Sequence, residues 1–325
     1  MTYLEHIANL ISEIPKDILD IKIARERTRP PTQAFSEFLT NREQGDWAEK
    51  LIFEAIQAVD NGIIAVKYGK SDKVIAGEVG FTEFYEAYQD ELDKIGKRPD
   101  LLIFKREDYQ TEWNFDISYF DFETLQSIAP KAIAGIEVRS SSFLLKKYEN
   151  YITDNQSFVV QEAKEIQTQL LTFEEKELGG LISIIQSIDF DAFANTQFTM
   201  PRNITNLEVK KLLLRLKELI QKQKKRDFLS FTPKMEDIKV VYKWIETYQV
   251  PHFYFQVFFD SVFGISFQQI LTFLADANAL NKQYFLEKDT KNQLKTTIKI
   301  DVKEGTEIAQ KSRNAYLYWY NERTR

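Results

Sequence analysis

Two carboxylates carry the first chemical signal in this chain. Asp100 closes the tetrapeptide KRPD and opens the apolar run LLIF (97–104), and Glu137 sits inside GIEVRSSSF (135–143). A charged group in or beside an apolar, β-branched run is costly unless it has a partner. Two such groups converging from neighbouring strands present hard oxygen ligands suited to Mg²⁺. Glu137 and Arg139 are two residues apart on an extended segment, so they face the same way while Val138 points into the core. A metal, two carboxylates and a cation together are the equipment for hydrolysing a phosphodiester. The blander alternative is an Asp that fixes a turn and a strand-edge Glu–Arg ion pair. Glu49 weighs against it, because it lies within the apolar stripe Ala48, Ile52, Phe53, Ile56 and Val59 of the helical segment GDWAEKLIFEAIQAV (45–59), where a solvating acid would not normally sit; a carboxylate that snorkels or pairs with Lys50 or Arg42 is the alternative for it.

Composition removes most competing chemistries. With no cysteine, the chain has no disulfide, thiolate zinc site or cysteine nucleophile, and it fits a reducing cytoplasm. His6 and His252 are the only histidines, which argues against multi-histidine metal sites and serine–histidine hydrolysis. No apolar run approaches the length of a membrane span, and the first twenty residues do not read as a signal peptide. The net charge is −6, but nine Lys/Arg oppose only Glu208 and Glu218 between Arg202 and Arg226. That segment carries +7 on a body of −13, so one surface can face phosphate while the rest stays acidic.

Residues 3–20 read as a helix, followed by a cationic arm (21–33) with Lys22, Arg25, Arg27 and Arg29 that stops at Pro30-Pro31. After the 45–59 helix come a strand (61–69), a helix over 81–96 capped by Gly96, the DLLIF strand, a polar and aromatic loop (105–130) and the IEVRSS strand. Residues 144 to about 227 turn helical and end in the basic amphipathic helix 207–226. Next are an extended FLSFTP (228–233), a helix over 236–249, strands at 252–260 and 261–267, a helix at 268–280 and a hairpin around 287–293. This order predicts an α/β fold, a central mixed β-sheet flanked by helices and interrupted by a helical insertion. Residues 1–145 would form the arm and first part of the core, 146–227 the insertion, and 228–325 the rest of the core with a C-terminal segment.

Glu49, Pro99-Asp100 and Glu137-Val138-Arg139 together resemble the PD-(D/E)XK nucleases, and among them the type II restriction endonucleases, with a finer likeness to the AccI-type branch. The resemblance covers residues 40–145 and 228–267, framed by the later helix and the aromatic strand HFYFQVFFD. It implies Asp100 and Glu137 as Mg²⁺ ligands with the Val138 carbonyl, and Glu49 as a third oxygen, direct or through water. Water would attack phosphorus with loss of the 3′-oxygen. One residue departs from the pattern: Arg139 stands where the superfamily usually has lysine. A guanidinium stays protonated, so Arg139 can orient water or grip phosphate but cannot act as a base. Lys146, Lys147 and Lys234 are candidates for the missing amine.

The resemblance further implies sequence-specific cutting of double-stranded DNA, a twofold homodimer to cut both strands, a cognate methyltransferase implied genetically, and a bacterial cytoplasmic setting. The arm, the basic helix and Arg313, Asn314 and Tyr320 of the C-terminal segment are candidate DNA contacts. The strand HFYFQVFFDSVF reads as core, with Gln256 a polar group in need of a partner. Two alternatives stay open: a structure-selective nuclease of the same superfamily, acting on junctions or damaged ends, and a DNA-binding module silenced by Arg139.

Overall fold

The structure, a computed structural model, describes residues 1–23, 25, 27, 36–59, 62–70, 76–193, 196–224, 228–288, 295–311 and 317–319. The chain divides into two compact units, Met1–Leu144 with Leu229–Arg325, and Leu145–Phe228.

The larger unit begins with α1 (Tyr3–Glu13), α2 (Ser36–Ala58), β1 (Ile63–Lys67), α3 (Phe81–Ile95), β2 (Leu101–Lys105), α4 (Phe122–Ile128) and β3 (Ala134–Ser140). The smaller unit holds α5 (Leu145–Leu170), α6 (Ile182–Gln186) and α7 (Leu207–Lys224). The larger unit resumes with β4 (Ser230–Phe231), α8 (Met235–Tyr248), β5 (His252–Val257), β6 (Ser261–Ser266), α9 (Phe267–Ala275), β7 (Tyr284–Lys288), β8 (Thr296–Asp301), β9 (Thr306–Lys311) and β10 (Leu317–Trp319).

Seven strands form one sheet in the order β1-β2-β3-β5-β6-β9-β10, and β4, β8 and β7 form a second. The pairing of β3 with β5 is parallel, with Glu137 opposite Tyr254 and Arg139 opposite Gln256; the other named strand pairs are antiparallel. A parallel neighbour cannot be reached by a tight turn, so the chain must leave the sheet and return. The return runs through α8, and the excursion before it is long enough to hold the whole smaller unit. The mixed sheet flanked by helices is the α/β architecture expected of a nuclease core.

The two sheet faces are covered differently. On one, Ala48, Ile52 and Ile56 of α2 pack against Leu101, Ile103, Ile136, Val138, Phe255 and Val257. Burying this aliphatic stripe removes Glu49's helix turn from water on its inner side. A ring layer around Trp244 of α8 joins Tyr68, His252, Tyr254 and Phe267, with neighbouring centroids 5.1–6.2 Å apart. The aromatic strand is therefore core: Tyr254, Phe255 and Phe258 are all buried. In the smaller unit, Val159, Ala163, Ile166 and Leu170 of α5 meet Val209, Leu213, Leu216 and Ile220 of α7, the spacing of an amphipathic stripe on each helix.

Gly96 decides how the chain enters the site. It ends α3 at φ +82°, and a Cβ there would run into the backbone of Val240 and Trp244. Only glycine allows this combination of left-handed backbone and close approach. The next residue, Lys97, then donates its amide to Val240 O at 2.9 Å, which ties the start of KRPD to α8.

Candidate active site

Asp100 stands at the entrance to β2, where three strands meet. Its carbonyl accepts the amides of Tyr68 and Gly69 at 2.9 and 3.0 Å, and its Oδ2 accepts the Val138 amide at 2.6 Å. One strand-end residue is thus bonded to the segment after β1 and to β3. Glu137 lies on β3 with its side chain 3 % exposed. Its Oε1 accepts from Lys97 Nζ at 2.7 Å and Arg139 Nη2 at 2.8 Å. Its Oε2 is buried with no hydrogen-bond partner among the described residues. Asp237, in the first turn of α8, lies 3.0 Å from Lys97 Nζ and 3.4 Å from Arg139 Nη2 through Oδ2.

Gln44, Gly45 and Glu49 of α2 line one polar cleft of about 300 Å³ with Asp100, Glu137, Val138, Arg139 and Ser140. The structure therefore brings together Glu49, Asp100, Glu137 and Arg139. It adds two residues that sequence reasoning missed, Lys97 and Asp237. Lys97 was visible in KRPD, three residues before Asp100, but a basic residue after a helix-ending glycine is an ordinary surface feature. Asp237 left no signal beyond an acid near a helix start.

The electrostatics are those of a crowded, half-dry site. Burial, then Glu137 and Glu49, holds the Asp100 carboxyl well above the usual range. For Glu137 burial pushes the same way, but Lys97 and Arg139 outweigh it and keep the group ionised. Glu49 is raised to about 7 by burial, with Asp46 and Glu137 adding repulsion. Burial would discharge Lys97 and Arg139, yet the carboxylates around them (Glu137 and Asp237 for both, in either order) more than compensate, so both stay cationic. Divergent affinities for protons within one cleft are a feature that functional sites share with structural ion-pair networks.

The other lysine candidates are placed differently. Lys146 and Lys147 belong to α5 of the smaller unit. Lys234 caps α8, is depressed by burial, and feels Asp237 and Arg139. In the arm, Arg25 binds Asp93 at 2.8 Å and Gln89 at 2.5 Å, and Arg27 binds Asp93 and Asp90 at 2.5 and 2.8 Å. These two arginines pack onto α3. Arg29, Pro30, Pro31, Arg226, Arg313, Asn314 and Tyr320 lie outside the described residues. Gln256 finds one partner, donating to Arg139 O at 3.4 Å, while its Oε1 has none among the described residues.

Among the described residues no three His, Cys, Asp or Glu side chains stand close enough to share a metal ion. The donor set here is smaller: two carboxylates and a main-chain carbonyl, all hard oxygens. A buried anionic oxygen without a donor, Glu137 Oε2, fits a hard cation.

An α/β core with a carboxylate-and-cation cleft at the strand ends is a candidate site for phosphodiester hydrolysis. A family model described as AccI restriction endonuclease matches residues 1–317, and the chain belongs to that family. It is a type II site-specific deoxyribonuclease whose substrate is DNA. No curated protein and no solved structure matches the chain. No helix among the described residues is long and apolar enough to cross a membrane.

Proposed function

We propose that this endonuclease is a Mg²⁺-dependent PD-(D/E)XK enzyme that cuts double-stranded DNA at a specific sequence, with Asp100, Glu137 and the Val138 carbonyl as cation ligands. The observation that carries the reading is the buried Glu137 Oε2, without a hydrogen-bond partner among the described residues, in a cleft shared with Asp100. When bound, Mg²⁺ supplies Lewis-acid stabilisation of phosphoryl charge and a lowered pKa for water. Arg139 and Lys97, both held cationic, oppose the charge that develops on the phosphate oxygens. Neither serves as a base. Glu49 adds a third carboxylate to the cleft, acting through water.

Cutting two strands of a symmetric site calls for two such clefts, hence a twofold homodimer. A cell that makes the enzyme needs a methyltransferase of the same specificity, so the setting is a bacterial cytoplasm with a restriction–modification pair. The test is digestion of linear phage DNA by the wild type and Asp100→Ala, with Mg²⁺ or with EDTA. Discrete fragments from the wild type with Mg²⁺ alone are expected. Cleavage that persists in EDTA or in the variant would overturn the ligand assignment, and a preference for branched over linear duplex would make the enzyme structure-selective. Sedimentation of the free protein should give twice the chain mass.

A further inference from the structure

Lys97 and Arg139 each bridge the same two oxygens, Glu137 Oε1 and Asp237 Oδ2, at 2.7–3.4 Å. The result is a closed ring of two cations and two anions, assembled from the approach to β2, from β3 and from α8. Both cations hang from backbone that is held in place. The Lys97 amide is bonded to Val240 O, and Arg139, next to the end of β3, is paired with Gln256 of β5. Without Asp237 both would rest on Glu137 alone. One carboxylate facing two cations leaves those three groups with a net positive charge, which disfavours a divalent ion beside them and leaves both cations competing for Glu137. With Asp237 the four groups are neutral, and Glu137 Oε2 remains uncommitted among the described residues. Asp237 itself is well placed to stay ionised, in the first turn of α8 where the helix end favours an acid.

We propose that Asp237 is a positioning residue that supplies the counter-ion for Lys97 and Arg139 and so keeps Glu137 available to a divalent cation. The inference rests on the reading of Asp100 and Glu137 as cation ligands. It assigns Asp237 no contact with the cation or the DNA; its effect passes through the two basic side chains. Groups that orient or balance metal ligands in this way typically change metal affinity by about 10–100-fold when removed.

Titration calorimetry with Mn²⁺ on the full chain tests this, using wild type, Asp100→Ala, Asp237→Asn and the double variant Lys97→Met/Asp237→Asn, each checked by thermal melting. Asp237→Asn should weaken Mn²⁺ binding about tenfold or more. The double variant, which removes one cation along with the anion, should recover affinity to within about threefold of wild type. A merely structural Asp237 would give a double variant at least as weak as the single one, and that result overturns the proposal. So does an Asp237→Asn protein that binds Mn²⁺ like wild type. If Asp237→Asn does not fold, the double variant decides: near-wild-type affinity supports the proposal and a tenfold loss rejects it. Failure of the underlying reading looks different, because then the wild type does not bind Mn²⁺ or Asp100→Ala binds it equally well.

Discussion

Arg139 is the residue at which this chain departs from the lysine that its superfamily resemblance leads one to expect, and its surroundings explain how the departure is tolerated. A second cation, Lys97, lies 2.7 Å from the same carboxylate oxygen, so an amine is present although it arrives from the segment between α3 and β2. On the proposed reading Arg139 supplies charge stabilisation, and replacing it by Met should lower the cleavage rate about 10²–10³-fold, the usual cost of losing one transition-state donor. Single-turnover kinetics on a cognate oligonucleotide, beside a binding measurement in Ca²⁺, checks this; equal losses in binding and cleavage would contradict it.

His252 makes a second prediction at the same scale. Burial pushes its imidazole from 6.5 down to about 4, in a ring layer with Trp244, Tyr254 and Phe267 and within range of Glu137, Lys97, Arg139 and Asp237. The unfolded chain takes up this proton as pH falls through 6.5, whereas the native chain resists until about 4. Stability is therefore intact above pH 6.5 and is lost as pH falls toward 4. At about 1.4 kcal/mol per pH unit, the loss from this group is about 2.5 kcal/mol by pH 4.5. Urea unfolding at pH 7 and 4.5 should show His252→Phe with a pH dependence smaller by that amount; an identical drop in both proteins would refute it.

At the scale of elements, the turn after α3 matters more than its length suggests. Gly96 combines φ +82° with contact against the α8 backbone. Gly96→Ala adds left-handed strain of about 1–2 kcal/mol and a clash that must displace α8 or the start of KRPD. A total destabilisation of about 3 kcal/mol or more is expected, with Lys97 shifted and cleavage reduced beyond what the stability loss explains. Helix α9 offers a contrast. Its capping box pairs Ser266 and Gln269 reciprocally, far from the cleft residues in sequence. Ser266→Ala should cost about 1 kcal/mol in a urea melt and leave the cleavage rate unchanged.

At the scale of the whole molecule, charge is divided unequally. The exposed face of α7 presents Lys210, Lys211, Lys217 and Lys222, opposite its buried stripe. Arg215 on that helix is spoken for by Glu162 and Glu218. If α7 contacts the DNA backbone, replacing Lys210, Lys217 and Lys222 by Ala should reduce the slope of log K against log salt by roughly 0.9 per lost phosphate contact. Fluorescence anisotropy over a salt series reads this, and an unchanged slope would remove α7 from the interface. The arm is a weaker prospect, since Arg25 and Arg27 are already neutralised by Asp90 and Asp93.

Periodicity made much of the architecture legible before any coordinates. The α2 stripe, the LLIF and IEVRSS strands and the buried aromatic strand follow from 3.6- and 2-residue repeats, because each is a local property of which face must leave water. The oxygen-rich character of Asp100 and Glu137 was legible for the same reason: acids inside apolar runs demand an explanation. Partnership was not. Lys97 and Asp237 are 140 residues apart and meet within 3.0 Å only because a parallel β3–β5 pairing brings α8 back across the sheet. Coulombic interaction depends on distance and desolvation, and neither has a signature in sequence spacing. Residue types determined which chemistry this chain could perform; which cation stands beside which carboxylate, and which of those carboxylates keeps its proton, was decided by tertiary structure alone.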